Sequence, residues 1–423
     1  MKREEEDRLS SLPDDLLINI LNRLPIKQVA ATHILSHRWS FLWKEVTTLR
    51  LVGYLPTYSS FVPISQLMFS QKITAFEFDC SRRVYQSRIY FNDMLRIWVT
   101  EICRFRRTKE LKLKLELHNR FYLPPIILQT PTIQVLILLD GNFRLNLPSN
   151  GIRLPNLIKL QISGNESSLD LQLLNNLLTS CPLLEDVHFQ GKIVLKHQID
   201  QHSMPIYAKN LKFLRLYLDI KKKVYGWYNN RPYFRVLIDA PKLEQFHVVS
   251  STTSKIPAFI FLTIPTGLVE ARVYIRTGKL QWCNFVNHGL EMIRSIVGIK
   301  FLCLSGNVLG PLSCCVSSRN LPILHCLTKL EVGLDNYPTS WIGLKKFVEC
   351  CPNLKVLVLK RMNSDFRWDE LNRSRLVDLM TTMTTTVNVL KLEDDKYDSG
   401  LETFFLNIIK DILQIKVETF STN

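Results

Sequence analysis

A spaced apolar triplet recurs along most of the chain, with large apolar residues at relative positions 0, 3 and 5. It can be laid down from Val46, Ile73, Thr108, Ile133, Leu157, Leu184, Leu211, Leu243, Leu268, Ile299, Leu327, Leu354 and Val387. Among all anchor positions only Thr108 and Ala271 are not large and apolar. A unit that returns about every 28 residues cannot bury its apolar side alone and must stack on its neighbours. Proline supports the phase independently. Pro131, Pro155, Pro182, Pro241 and Pro352 each stand two residues before an anchor, five of thirteen, where 19 prolines in 423 residues would put fewer than one. Two longer stretches also agree with each other: 177–185 resembles 347–355, and 160–165 resembles 302–307.

The triplet predicts one short strand per repeat, followed by a turn and an outer helix or irregular segment. Positions 0, 3 and 5 point into a continuous core, and the residues between them face out. Stacked strands make one parallel sheet whose exposed face is an extended binding surface. Cys181 and Cys351 read as small buried hydrophobes within this pattern.

Composition narrows the function classes. Hydrophobic residues at 46% and charged residues at 22% are ordinary for a folded chain. The formal charge of +16 is not, and it favours anionic partners: acidic or phosphorylated protein segments, nucleic acid, polyphosphates. Ten cysteines include no C-x-x-C pair, and the adjacent pairs Cys314–Cys315 and Cys350–Cys351 suit neither a bridge nor a tetrahedral metal site. The N-terminus is charged from its second residue, and no apolar run approaches the ~20 residues that span a bilayer. These features predict an intracellular protein, of cytoplasm or nucleus, without a membrane partner.

The first fifty residues follow a different rule. Pro13 suits a first helical turn, and Asp14 and Asp15 sit where the helix dipole favours negative charge. Leu16, Leu17, Ile20, Leu21 and Leu24 are predicted on one helical face. Pro25 opens a second helix running to about Leu35. Ser36 is the expected N-cap of a third, on which Trp39, Leu42 and Trp43 share a face. So small a helical domain carries more large apolar side chains than it can hide, which calls for a partner surface or for packing on the rest of the same chain.

This segment resembles the F-box. The matching strings are Leu12-Pro13-Asp14, Ile20-Leu21, Leu24-Pro25, and Leu35-Ser36 followed by Arg38-Trp39 and Leu42-Trp43. The resemblance implies binding to the Skp-type adaptor of a cullin–RING ubiquitin ligase. Leu12, Pro13, Leu16, Leu17, Ile20, Leu24, Pro25, Ile26, Val29, Leu35, Trp39, Leu42 and Trp43 are then adaptor contacts or the core behind them. The rest is similar to a plant subfamily of F-box proteins with leucine-rich repeats, on Met94-Leu95-Arg96-Ile97-Trp98, Leu154-Pro155-Asn156-Leu157 and Cys181-Pro182-Leu183-Leu184-Glu185-Asp186. Many members end in an FBD domain. Here Leu401, Phe404, Phe405, Ile408 and Ile409 keep comparable spacing, but the defining strings are missing.

The expected fold class is therefore α/β, a small three-helix F-box followed by a curved leucine-rich-repeat solenoid with one parallel sheet. Its expected divisions are a disordered N-terminus at 1–8, the F-box at 9–45, about thirteen irregular repeats at 46–395, and a cap or degenerate FBD-like tail at 396–423. The expected function is that of a non-catalytic substrate receptor of a Skp–cullin–F-box ligase. The alternative is a basic repeat scaffold that binds nucleic acid or another anion without ubiquitination.

The motifs of the sequence point to a binding protein rather than an enzyme. No G-x-S-x-G, phosphate-loop or H-E-x-x-H string occurs. His33 and His37 are four apart, but Ser36 is expected to break the helix between them, and no third ligand is near; His197 and His202 read as loop histidines. No catalytic residue, metal or cofactor is expected. The position-4 ladder reads Arg50, Glu77, Lys112, Ile137, Gln161, His188, Arg215, His247, Arg272, Cys303, Glu331, Val358 and Lys391. Its basic and aromatic middle, His188, Arg215, Tyr217, His247, Arg272 and Tyr274, is the candidate target surface, suited to an acidic or phosphorylated peptide. The Lys221–Lys223 run reads as a loop.

Overall fold

The computed structural model describes residues 9, 11–52, 73–80, 88–104, 107–115, 120–146, 148–195, 203–222, 235–252, 258–277, 291–313, 321–334, 336–361, 369–382, 387, 389–393 and 416–420. Residues 1–8, His197, His202, Cys314–Cys315 and the apolar series 401–409 lie outside them. The chain forms two compact units, Met1–Gly191 and Lys192–Asn423.

The first unit opens with three short helices, α1 (Asp14–Leu21), α2 (Ile26–Ala31) and α3 (Trp39–Leu42). Pro13 is the N-cap of α1 rather than its first residue. The second helix stops at Ala31 and continues as a 3-10 turn over Thr32–Ile34, so it does not run to Leu35. Arg38, not Ser36, caps α3, and no side-chain hydrogen bond forms there; the Ser36 carbonyl accepts the Ser40 amide at 3.2 Å instead.

Strands then follow in parallel order: β1 (Thr48–Val52), β2 (Ala75–Cys80), β3 (Glu110–Leu115), β5 (Val135–Leu139), β7 (Lys159–Asp170) and β8 (Asp186–Leu195), with a two-stranded side sheet of β4 (Arg120–Tyr122) and β6 (Asn142–Arg144). The second unit continues the scheme with β10 (Phe213–Lys222), β12 (Gln245–Thr252), β14 (Glu270–Thr277), β15 (Phe301–Ser305), β16 (Lys329–Leu334), β17 (Val356–Arg361), β18 (Val389–Glu393) and β19 (Lys416–Phe420). A side sheet of β9 (Ser203–Tyr207), β11 (Arg235–Asp239) and β13 (Ala258–Phe261) accompanies it. The class is mixed α/β, a short helical domain followed by parallel sheet, consistent with a leucine-rich-repeat solenoid.

The triplet sets the register. Every anchor residue through Leu390 is buried, including Thr108 and Ala271 at 0% exposure. Position 3 pairs with position 3 from strand to strand, as in Leu49↔Phe76, Phe76↔Leu111, Phe246↔Ala271 and Leu330↔Leu357. Thr108 is tolerated because its hydroxyl donates to the Ile102 carbonyl at 2.8 Å, so no buried polar group is left open.

The prolines are explained by a turn before each strand. The anchor amide donates to the carbonyl three residues back, as in Leu184→Cys181 at 3.2 Å, Leu243→Ala240 at 3.1 Å and Leu354→Cys351 at 3.2 Å. Proline two residues before the anchor is therefore residue i+1 of a four-residue turn, where its fixed φ is already correct. The strand entry carries a second device. The carbonyl of position 1 accepts two amides of the next repeat, as when Thr328 accepts from Lys355 at 2.9 Å and Val356 at 3.0 Å.

Connections between strands differ with their sequence. Helices α4 (Arg88–Arg104), α5 (Leu171–Thr179), α6 (Gly306–Ser313), α7 (Pro338–Glu349) and α8 (Glu370–Thr382) supply some returns. On α7, Trp341, Leu344, Phe347 and Val348 keep helical spacing and are buried. The side-sheet strands replace helices where the apolar residues alternate instead, as Val236, Ile238, Phe259 and Phe261 do. The expected outer helix or irregular segment is thus a strand in these repeats. Likewise β10 extends through Lys221 and Lys222, so that part of the lysine run is strand, not loop.

Candidate functional site

The helical domain has a core of its own and an apolar exterior. Leu17 and Leu21 of α1, Ile26 and Val29 of α2, and Trp39 and Leu42 of α3 are buried, at 0–7% exposure. The four-residue spacing that turns Leu17 and Leu21 inward turns Leu16 and Ile20 outward, at 49% and 39% exposure. The apolar residues of α1 therefore occupy two faces, not the single face expected, and Leu24 lies beyond the helix end. Pro13 and Leu35 are exposed, and Leu12, Leu24, Pro25 and Trp43 are partly so. Three surface residues were not anticipated: Leu9 at 54%, Ile34 at 76% and Phe41 at 56%. The 3-10 turn brings Ile34 out beside Leu35, a consequence of α2 ending early.

Polar contacts hold this exterior in place. The Arg38 guanidinium bonds the Asp14 carboxylate at 2.7 Å and the Leu12 carbonyl at 2.6 Å, tying the start of α1 to the entry of α3. The Asn22 side-chain oxygen accepts the Thr47 and Thr48 amides at 2.8 and 3.0 Å, fixing the helices to β1. Arg50 donates to the Arg23 carbonyl at 2.8 Å and pairs with Glu77 at 2.9 Å. A groove of about 610 Å³ opens there, lined by Leu16, Asn19 and Arg23 on the helical side and by Arg50, Ala75, Glu77, Glu110 and Lys112 on the strand side. His33 uses Nδ1 on the Ala30 carbonyl at 2.7 Å.

The expected target residues fall in different places. His188 lies half-buried on β8. Arg215 and Tyr217 on β10, His247 on β12, and Arg272 and Tyr274 on β14 face the same way, with Arg215↔His247↔Arg272 in register. Position 4 is not uniformly exposed. Cys303, Glu331 and Val358 are buried, at 0%, 4% and 1% exposure, so the exposed ladder expected from the spacing is interrupted over β15–β17.

These residues form a partly paired array, in which the cations Arg215, Arg272, Lys329 and Lys360 outnumber the carboxylates Glu270 and Glu331. Glu270 accepts from His247 Nε2 at 3.1 Å and from Arg272 Nε at 2.6 Å. Burial pulls the His247 pKa below its ordinary value despite the Glu270 charge, so the first contact is a hydrogen bond from a neutral imidazole. Arg272 and Lys329 lie over the same Phe301 ring, 4.8 and 4.6 Å from its centroid. Lys329 and Lys360 hold the Glu331 carboxylate at 2.7 and 3.0 Å. Burial pushes that carboxyl up, but the two lysine hydrogen bonds outweigh it and hold it below the usual range. Tyr274 and Cys303 share a 2.6 Å contact, with burial raising both and the Cys303 thiol reaching about 11. Burial likewise pushes Cys181 up to about 12, so both cysteines stay protonated and unreactive.

Among the described residues no group of three potential metal ligands converges, and no helix is long and apolar enough to cross a membrane. Residues 9–51 match the family model of the F-box domain. An F-box/LRR-repeat protein of Arabidopsis thaliana is 27% identical over 370 residues, covering 84% of this chain and 91% of its own. Two F-box/FBD/LRR-repeat proteins of the same plant are 24% and 23% identical, over 85% and 95% of this chain and 80% and 86% of theirs. The chain thus carries an F-box domain at its N-terminus and is similar, over most of its length, to the plant F-box/LRR-repeat and F-box/FBD/LRR-repeat proteins.

Proposed function

We propose that this chain is the substrate-recognition subunit of a Skp–cullin–F-box ubiquitin ligase, itself without catalysis. The observation that carries the reading is the apolar exterior of the F-box. A domain whose core is already filled by Leu17, Leu21, Ile26, Val29, Trp39 and Leu42 still leaves Leu16, Ile20, Ile34, Leu35 and Phe41 in solvent. Exposed apolar side chains grouped on so small a domain mark a partner surface. The adaptor occupies it, with Pro13, Leu16, Ile20, Ile34 and Leu35 as contacts and Leu17, Ile26, Val29, Trp39 and Leu42 as the core behind them.

The repeats present the target surface. On the strand face Arg215, Tyr217, His247, Arg272 and Tyr274 are the residues to test, with an acidic or phosphorylated protein segment as partner. His188 belongs to the same reading as a separate position. The boundaries proposed are an F-box at 9–45 and repeats over 46–395, in an intracellular protein. The test is co-purification of the full chain with a Skp-type adaptor, repeated for the double variant Ile34→Asp, Leu35→Asp. Wild type is expected to retain the adaptor and the variant to lose it. Equal recovery with both, or no recovery with wild type, sinks the reading.

A further inference from the structure

We propose that the adaptor interface does not end at the F-box but continues into the groove between α1 and strands β1–β3, where an acidic segment of the adaptor is seated. The inference rests on the adaptor reading above and goes beyond it, because it enlists residues of the first three repeats.

Three observations carry it. Leu16 is at once a wall of the groove and an exposed adaptor contact, 49% exposed. A partner that covers the outer face of α1 therefore sits at the groove mouth. It must fill the groove or strand a water-filled slot of about 610 Å³ beneath its own contact.

The lining then sets the chemistry of what enters. Arg50 is engaged by Glu77, and Lys112 by Glu110 at 3.3 Å. Among the described residues, the Arg23 and Asn19 side chains have no hydrogen bond or ion pair; only the Arg23 carbonyl is used, by Arg50. Both are exposed and border the groove. The three cations Arg23, Arg50 and Lys112 outnumber the two carboxylates Glu77 and Glu110. A carboxylate is the complement of the uncommitted guanidinium. Ala75 makes room for it, since this outward position on β2 carries only a methyl group between Thr48 and Glu110.

The experiment measures adaptor affinity for the full chain at low and high salt, using a purified Skp-type adaptor as probe. Arg23→Glu reverses the charge at the groove edge, and Ala75→Phe fills the groove from a residue outside the F-box. Lys355→Glu, an exposed charge on the second unit, is the control. Each groove variant is expected to weaken binding about fivefold, with Arg23→Glu also reducing the salt dependence, while the control binds as wild type. Wild-type affinity in both groove variants overturns the inference and leaves the F-box reading standing. Failure of the wild-type chain to bind the adaptor overturns both. Should Ala75→Phe fail to fold, Arg23→Glu decides alone.

Discussion

If Ile34 and Leu35 are adaptor contacts and Leu17 is core, truncating them must fail in opposite ways. Ile34 and Leu35 are 76% and 60% exposed, so Ile34→Ala and Leu35→Ala remove almost nothing from the folded chain. Surface truncations of this kind stay within about 0.5 kcal/mol of wild type in stability. Covering either side chain with a partner gains on the order of 2 kcal/mol, so each truncation is expected to weaken adaptor binding about 30-fold. Leu17 is 0% exposed, and Leu17→Ala opens a cavity costing about 2–5 kcal/mol of stability. The adaptor affinity of its folded fraction should be unchanged. Titration of each variant with adaptor by calorimetry, beside a denaturant curve, separates the two outcomes. Affinity within twofold of wild type for both Ile34→Ala and Leu35→Ala would refute the assignment of this face.

Three further perturbations probe the frame that holds the binding surfaces. A Cβ on Gly343 of α7 would overlap the backbone carbonyl of Leu309 on α6, whereas a Cβ on Gly298 meets nothing within 4 Å. Gly343→Ala should therefore cost about 1–3 kcal/mol in urea unfolding and Gly298→Ala nothing, and equal midpoints would refute that packing. Glu331→Gln leaves Lys329 and Lys360 facing each other without their shared carboxylate, with an expected loss of about 2 kcal/mol by thermal or urea unfolding. A neutral effect would show that the carboxylate is replaceable by packing. His247 faces Glu270, Arg272 and Arg215, and its folded pKa lies below its unfolded one. Its contribution is complete above about pH 6.5 and lost as pH falls, because the unfolded chain takes up the proton first. His247→Gln should flatten the melting temperature between pH 7.5 and 5.5; a slope equal to wild type removes His247 as its cause. Glu331, whose pKa is also depressed, acts only below this window.

The register of the strands was legible because it depends on one property repeated many times. Apolarity at positions 0, 3 and 5 decides which way each strand faces, and a one-residue slip would expose every anchor at once. Even Thr108 obeys, since its hydroxyl finds the Ile102 carbonyl. The strand β19 escaped for the converse reason. In register with β18 its triplet would read Gln414, Val417 and Thr419, which carries one large apolar residue instead of three.

Which apolar residue faces a partner is a different kind of fact. Leu16 and Leu17 are the same residue in adjacent places, and only the packing of α1 on α3 and the turn that follows it makes one surface and the other core. Position 4 shows the same limit from the polar side. Ile137 is half-exposed there while the charged Glu331 is buried, so residue type alone misplaces both. Glu331 tolerates burial because Lys329 comes from its own strand and Lys360 from the next, a pairing that exists only once β16 and β17 are in register. The repeat pattern thus determines the frame, and the frame then determines which charges are neutralised across strands. Basic residues that look available in one dimension, such as Arg272 and Lys329, are already held by Glu270, Phe301 and Glu331. Charge available for recognition has to be sought where this pairing leaves a remainder, and Arg23 at the edge of the groove beside α1 is such a place.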